Sequence, residues 1–338
     1  MKDSGGLDEH HVSSEPAGAE QGTVGETRPR VIPFEARNAP AGTRNILLTI
    51  SYDGTCYSGW QVQPGRPSVQ ACVEQAVRAI TGESRRVYCA GRTDTGVHAL
   101  GQAANFYTLS RIPGKNLRRA LQTELPEDIV IADARDVSLQ LHATFSAVRK
   151  RYRYVIHDRG VCPPFLKRYC TPSRFALDAP RMHEAAQELL GTHDFRCFEK
   201  EYPNKETSVR TIFDAVVCRS GGWPLWQAPH NWGGTESAVN GGGDWDGGRG
   251  GDGPFVVFEV EADGFLYNMV RAIVGTLTEV GRGKRPIHAL RDVIQSLDRN
   301  TAGMTAVPQG LYLVRVDYPA ELLIWPAAGS GTIRLDQS

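Results

Sequence analysis

The sequence predicts an α+β protein made of two α/β sandwiches. Three observations support this: residues 46–137 run strand, helix, strand, strand, helix, strand; residues 146–316 set out strands and helices in a similar order; and polar or glycine-rich stretches frame both runs. At 338 residues the chain is long enough to bury two cores. The halves share element order but too little residue identity to count as a repeat.

Residues 1–44 are rich in Gly, Pro, Glu and Ser and poor in aromatics. They bury too little apolar surface to offset ordering and are expected to form a disordered tail. A strand over 46–52 opens the first domain, residues 45–145. Val69, Cys72, Val73, Ala76, Val77 and Ile80 then recur at helical spacing between the N-cap Ser68 and the stop Gly82. Residues 87–90 and 102–107 read as short strands, 115–123 as a helix and 129–137 as extended chain.

The second domain, residues 146–320, begins with a strand over 150–156 and a helix over 180–190 ended by Gly191. Strands follow over 209–219 and 255–262. A helix over 265–280 places Leu266, Met269, Val270, Ile273, Leu277 and Val280 on one apolar side. A last strand covers 311–316, and residues 321–338 form a tail. Between the two late strands, residues 220–254 carry twelve glycines and four of the six tryptophans. A connection that long is an insertion, either a flexible extension or a surface on which bases could stack.

Net charge is zero, yet residues 1–44 and 220–254 are acidic, and the rest carries 32 basic against 27 acidic residues. That excess is clustered at Arg149, Lys150, Arg151 and Arg153, and at Arg282, Lys284 and Arg285, as a nucleic-acid surface requires. The seven cysteines are an odd number, with no Cys-x-x-Cys pair and no histidine at metal spacing. A reduced, cytoplasmic chain without bound metal is expected. No stretch has the character of a signal peptide or membrane span.

The most informative run is Ala90-Gly91-Arg92-Thr93-Asp94-Thr95-Gly96-Val97-His98-Ala99-Leu100. Gly91 and Gly96 allow backbone geometry that a side chain would forbid. Arg92 and Asp94, two apart, share a face of extended chain, so a cation and an anion can meet one ligand. A surface turn with a routine ion pair would look the same in isolation.

The run resembles the catalytic signature of the tRNA pseudouridine synthase A family, departing from its usual form only at Thr95. Further motifs of that family follow in order: Tyr52-Asp53-Gly54 with Gly59-Trp60; Gly101-Gln102 with Phe106; His142-Ala143 with Phe145; Arg151-Tyr152-Arg153-Tyr154; Gly191 with His193-Asp194-Phe195 and Phe198; Met269-Val270-Arg271; and Gly310-Leu311-Tyr312-Leu313. The resemblance covers residues 45–318. It implies the pseudouridine synthase fold: two ferredoxin-like α/β sandwich domains joined by a continuous antiparallel sheet, with the active-site cleft between them. It also implies conversion of uridine to pseudouridine at positions 38, 39 and 40 of the tRNA anticodon stem-loop, without cofactor or metal, by a homodimer in which one subunit holds the tRNA body.

That reaction breaks the N-glycosidic bond, turns the uracil and joins its C5 to C1′. It needs one ionised carboxylate in a dry pocket, as nucleophile or as base. Asp94 is the catalytic candidate, and the sequence leaves both routes open. Burial resists ionisation, and a guanidinium reverses that trend; by resemblance Arg271 supplies it through a salt bridge. Resemblance also gives Tyr152 the role of stacking on the uracil and Arg92 that of filling the vacated stack or holding the displaced phosphate. Leu311 either packs under the base or is ordinary strand core. Arg149, Lys150, Arg151, Arg153, Arg282 and Lys284 are expected to meet the RNA backbone. Tyr154, His98, His142 and His193 read as structural. Two other readings are an RNA-binding protein of the same fold without catalysis, and a glycoside hydrolase, for which Asp94 has no motif-embedded second acid.

Overall fold

The computed structural model describes residues 34–37, 39–200, 207–226 and 253–324. Its strands are β1 (Arg44–Tyr52), β2 (Tyr88–Cys89), β3 (His98–Thr108), β4 (Ile129–Val137), β5 (Arg149–His157), β6 (Thr171–Pro172), β7 (Gly191–Asp194), β8 (Val209–Ser220), β9 (Phe255–Ala262) and β10 (Leu311–Asp317). The helices are α1 (Phe34–Arg37), α2 (Val69–Thr81), α3 (Gly114–Glu124), α4 (Ala179–Ala186), α5 (Met269–Gly281) and α6 (Ala289–Ser296).

All ten strands join one sheet in the order β4-β1-β3-β10-β5-β9-β8-β7, with β2 beside β3 and β6 beside β5. The pairing is antiparallel except for two short contacts, β5 with β6 and β3 with β10. The second is the seam between the halves: Tyr312 pairs with His98 and Leu313 with Ala99. The expected continuous sheet is therefore present, mainly antiparallel, with a parallel seam made by the last of the described strands.

Apolar residues of β1, β3, β5, β9 and β10 and of the helices α2 to α6 form one core on one face of the sheet, including Ile46, Phe106, Tyr152, Tyr154, Val280 and Leu311. The helices exist because their apolar positions repeat on one side and their ends are capped. In α2 the Ser68 hydroxyl accepts from the Ala71 amide at 3.4 Å, and Gly82 ends the helix at φ +74°. On the other face, Leu47, Ala103 and Val137 pack beneath Leu141 and Leu322.

β4 and β9 have the predicted bounds. The helix expected over 265–280 starts only at Met269, because Asn268 turns the chain at φ 62°, a geometry Asn tolerates through its short polar side chain. The helix expected over 180–190 ends at Ala186 and continues as one tight turn over Gln187–Leu189, while Gly191 at φ +96° opens the edge strand β7. The sequence reading missed β6, β7 and α6, and α1 falls inside the tail expected to be disordered. β1 starts at Arg44, inside the expected tail, because its guanidinium grips the Asp136 carboxylate in two bonds of 2.6 and 2.8 Å. Most of the expected tail, most of the glycine- and tryptophan-rich insertion and residues 325–338 lie outside the described residues.

Candidate active site

The loop of residues 90–97 crosses from β2 to β3 on the helix-bearing face, and its backbone oxygens are held individually. The Lys150 ammonium donates to the Ala90 carbonyl at 2.6 Å and the Gln102 amide to the Gly91 carbonyl at 2.7 Å. The amides of Trp60 and Val97 donate to the carbonyls of Thr93 and Asp94, each at 3.1 Å. The Thr93 hydroxyl bonds the Tyr52 hydroxyl at 2.7 Å. These contacts leave the loop little freedom, as a group that must be placed to within a fraction of an ångström requires.

Two glycines from the first motif make the close packing feasible. A Cβ at Gly59, which sits at φ +88°, would lie 2.2 Å from the Thr93 carbonyl oxygen, and one at Gly54 would lie 2.0 Å from that of Val97. Gly91 has milder contacts: its missing Cβ would stand 3.6 Å from the Tyr152 hydroxyl. The sequence singled out Gly91 and Gly96 in the loop, whereas the tightest steric demand falls on Gly54 and Gly59, which receive it.

Asp94 is half-buried at 26% side-chain exposure, with Oδ2 at 3.1 Å from Nη1 of Arg271. Arg271 lies in the first turn of α5 and is oriented by two further acceptors, the Ala306 carbonyl at 2.6 Å from Nε and Asn268 Oδ1 at 2.9 Å from Nη1. Burial pushes the Asp94 carboxyl above the ordinary carboxylate value, and the Arg271 guanidinium offsets that only in part. The expectation that the guanidinium reverses the effect of burial is thus corrected in sign: desolvation outweighs the Arg271 guanidinium, itself shared with two neutral acceptors, together with the weaker pull of Lys200. Asn268 is a partner of Arg271 that the sequence reading missed; its spacing of three from Arg271 at a helix start was the available signal.

Tyr152 is buried on β5 and meets the edge of Phe265 at 5.0 Å between ring centres. Burial holds its hydroxyl well above the usual tyrosine range, so it carries its proton throughout the neutral region. Leu313 stands opposite Tyr152 on β10, and Leu311 opposite Tyr154. Leu311 is buried in the main core. Tyr154 is fully buried, bonded through its hydroxyl to Thr171 and to the Val307 carbonyl. Arg92 is exposed on the loop two residues before Asp94.

His98 is structural. Its Nδ1 accepts from the Gly54 amide at 3.1 Å, Nε2 donates to the Arg168 carbonyl at 2.9 Å, and the ring stacks on Tyr312 across the seam at 4.8 Å. Burial lowers its pKa and outweighs the pull of Asp53, so the ring is neutral.

The expected basic backbone ligands separate into distinct groups. Arg149, Arg151 and Arg153 share the sheet face opposite Tyr152. Arg151 and Arg153 are each 3% exposed and lie directly across from Glu261 and Glu259 of β9. Arg151 bonds Asp214 at 2.9 Å and both Glu259 and Glu261 at 3.1 Å; Arg153 bonds Glu259 at 2.6 Å and the Pro224 carbonyl. These two guanidinium groups are buried and spent in an ion network, at odds with the expectation that they meet the RNA backbone. Lys150 is likewise committed beneath the loop. Arg149 bonds Glu261 at 3.0 Å and sits over the Phe213 ring at 4.5 Å. Arg282 covers the Phe175 ring at 3.8 Å, and Lys284 is exposed.

A family model described as tRNA pseudouridine synthase matches residues 48–146 and 185–319. Proteins named tRNA pseudouridine synthase A are similar along most of the chain. The one from Thermoanaerobacter sp. (strain X514) is 40% identical over 275 residues, 81% of this chain and 100% of that protein. The one from Acetivibrio thermocellus is 42% identical with the same coverage. The one from Pseudomonas aeruginosa is 37% identical over 292 residues, 86% of this chain and 91% of that protein. A solved structure titled "Crystal Structure of a Cbf5-Nop10-Gar1 Complex" aligns at 11% identity and TM-score 0.29, covering 85% of this chain and 60% of that one.

Proposed function

The chain belongs to the tRNA pseudouridine synthase family, and on that premise we propose that it isomerises uridines 38, 39 and 40 of the anticodon stem-loop with Asp94 as the catalytic carboxylate. It is a pseudouridine-forming isomerase acting on tRNA. The observation that carries the site assignment is the Asp94–Arg271 contact, which holds a single half-buried carboxylate beside Tyr152 in a loop of fixed geometry.

The reaction conserves atoms: the bond from N1 to C1′ breaks, a bond from C5 to C1′ forms, C5 gives up a proton and N1 gains one. An ionised Asp94 serves either route, attack on the nucleoside or removal of a sugar proton while the glycosidic bond opens. Arg271 favours the ionised form and fixes the direction in which the free oxygen points. Tyr152 stacks on the flipped uracil, and its hydroxyl, protonated in the resting enzyme, is a hydrogen-bond donor to the base. Arg92, exposed at the loop, fills the vacated stack or holds the displaced phosphate, and Leu311 supports the base from β10. The enzyme works in the cytoplasm as a homodimer, one subunit holding the tRNA body while the other modifies it.

The test is primer extension on carbodiimide-treated, previously unmodified tRNA after incubation with the wild type or with Asp94→Asn. New stops at 38–40 from the wild type alone are expected. Stops elsewhere would move the target positions, and an inactive wild type would overturn the reading. Sedimentation velocity reads the oligomeric state.

A further inference from the structure

We propose that Lys200 is a substrate-phosphate ligand at the mouth of the Asp94 site, gripping the RNA backbone beside the withdrawn uridine. The proposal rests on the tRNA reading above and adds a residue that no motif in the sequence pointed to.

The backbone at Lys200 is fixed from two sides. Behind it, Phe195 and Phe198 are fully buried, and the Phe195 amide bonds the Ser208 carbonyl at 3.0 Å, while Glu199 accepts from the Ser208 hydroxyl at 2.8 Å. Beside it, the Lys200 amide donates to the Tyr267 carbonyl at 3.3 Å. Tyr267 precedes Asn268, whose side chain holds Arg271, which in turn holds Asp94. Lys200 is thus pinned to the same turn that orients the catalytic ion pair, with its side chain exposed.

Its charge has no carboxylate partner among the described residues, and it lies near enough to Asp94 to favour the ionised carboxyl. Asp94 already has Arg271 as its hydrogen-bonded cation, so the Lys200 ammonium remains available to an incoming anion. A nucleotide entering base first leaves its phosphates outside, in reach of an exposed cation at the rim. An ammonium is a compact charge suited to a single phosphate oxygen. Arg92 comes from the first half of the chain and Lys200 from the second, so the two halves each contribute one exposed cation to the approach.

The experiment measures tRNA affinity as a function of salt, and the single-turnover rate at saturating enzyme, for the wild type, Lys200→Gln and Lys200→Arg. Lys200→Gln is expected to bind roughly 5- to 10-fold more weakly near 0.1 M salt, with the slope of log affinity against log salt reduced by about 0.7–0.9, one phosphate's worth. Its saturated rate should stay within about threefold of the wild type, and Lys200→Arg should restore most of the affinity. Unchanged affinity and slope in Lys200→Gln would overturn the proposal. So would intact binding with a slowed saturated rate, which would put Lys200 to work on Asp94 instead. A wild type that forms no pseudouridine in tRNA would sink the underlying reading; an active wild type indistinguishable from Lys200→Gln would sink this proposal alone.

Discussion

Arg271 and Asp94 stand 177 residues apart in the chain and meet at 3.1 Å, one from the first turn of a helix in the second half and one from a loop in the first. The pair holds a carboxylate where burial disfavours its charge, so the site is built against the preference of its central residue. That opposition makes the enzyme's pH behaviour and stability predictable.

On the role proposed for Asp94, Asp94→Asn should lower the single-turnover rate by at least about 10³-fold, since an amide can neither attack the nucleoside nor take up a proton. It should not lower stability. An acid whose pKa is raised in the folded state binds more protons folded than unfolded, so ionising it costs stability as pH rises above the ordinary value of 3.8. The neutral amide removes that cost, and Arg271 keeps its bonds to Ala306 and Asn268. A melting temperature at pH 7 equal to or above the wild type's is expected; a clear fall would contradict the assignment.

The acid limb of the single-turnover rate should fall at a pH above 3.8, because the role proposed for Asp94 needs the ionised form, whose pKa burial raises. Arg271→Gln should move that limb to higher pH still, since the cation it removes is the main influence favouring the charged form. A limb at or below the ordinary carboxylate value, or one unmoved by Arg271→Gln, would detach Asp94 from the pH dependence.

Gly59→Ala brings two penalties: a Cβ 2.2 Å from the Thr93 carbonyl and a positive φ of 88° that only glycine adopts freely. We expect a loss of about 1–3 kcal/mol in chemical denaturation, together with a rate loss beyond that of Gly65→Ala. Gly65 also sits at positive φ but has open space around it. Equal effects at the two positions would show that backbone strain, and not displacement of the catalytic loop, is what matters.

Arg151→Met removes one cation from a buried network in which Glu259 keeps Arg153 and Glu261 keeps Arg149 and Arg315, and should cost about 1–3 kcal/mol. The salt dependence of tRNA binding should be unchanged. A reduced slope with wild-type stability would return Arg151 to the RNA surface.

Much of the site was legible because its informative residues are adjacent. The run from Gly91 to His98 names the loop, its carboxylate and its exposed arginine within eight positions, and the period of two along β5 puts Tyr152 and Tyr154 on one face and the odd-numbered arginines on the other. What the period did not tell was which face stays open. That depended on Glu259 and Glu261, whose strand pairs with β5 from a hundred residues away. A basic cluster in sequence therefore became a neutralised network in space.

The sequence by itself determined the local elements and the loop, because helix caps, strand alternation and glycine geometry act over a few residues. Ser68 and Gly82 bound α2 without help from the rest of the chain. Only the tertiary structure decided which groups meet: the parallel seam of β3 with β10, the descent of the loop into the places vacated by side chains at Gly54 and Gly59, and the excess of desolvation over the guanidinium at Asp94. Each depends on segments far apart in the chain. The balance between burial and charge is set by how completely those segments exclude water, which no local pattern encodes.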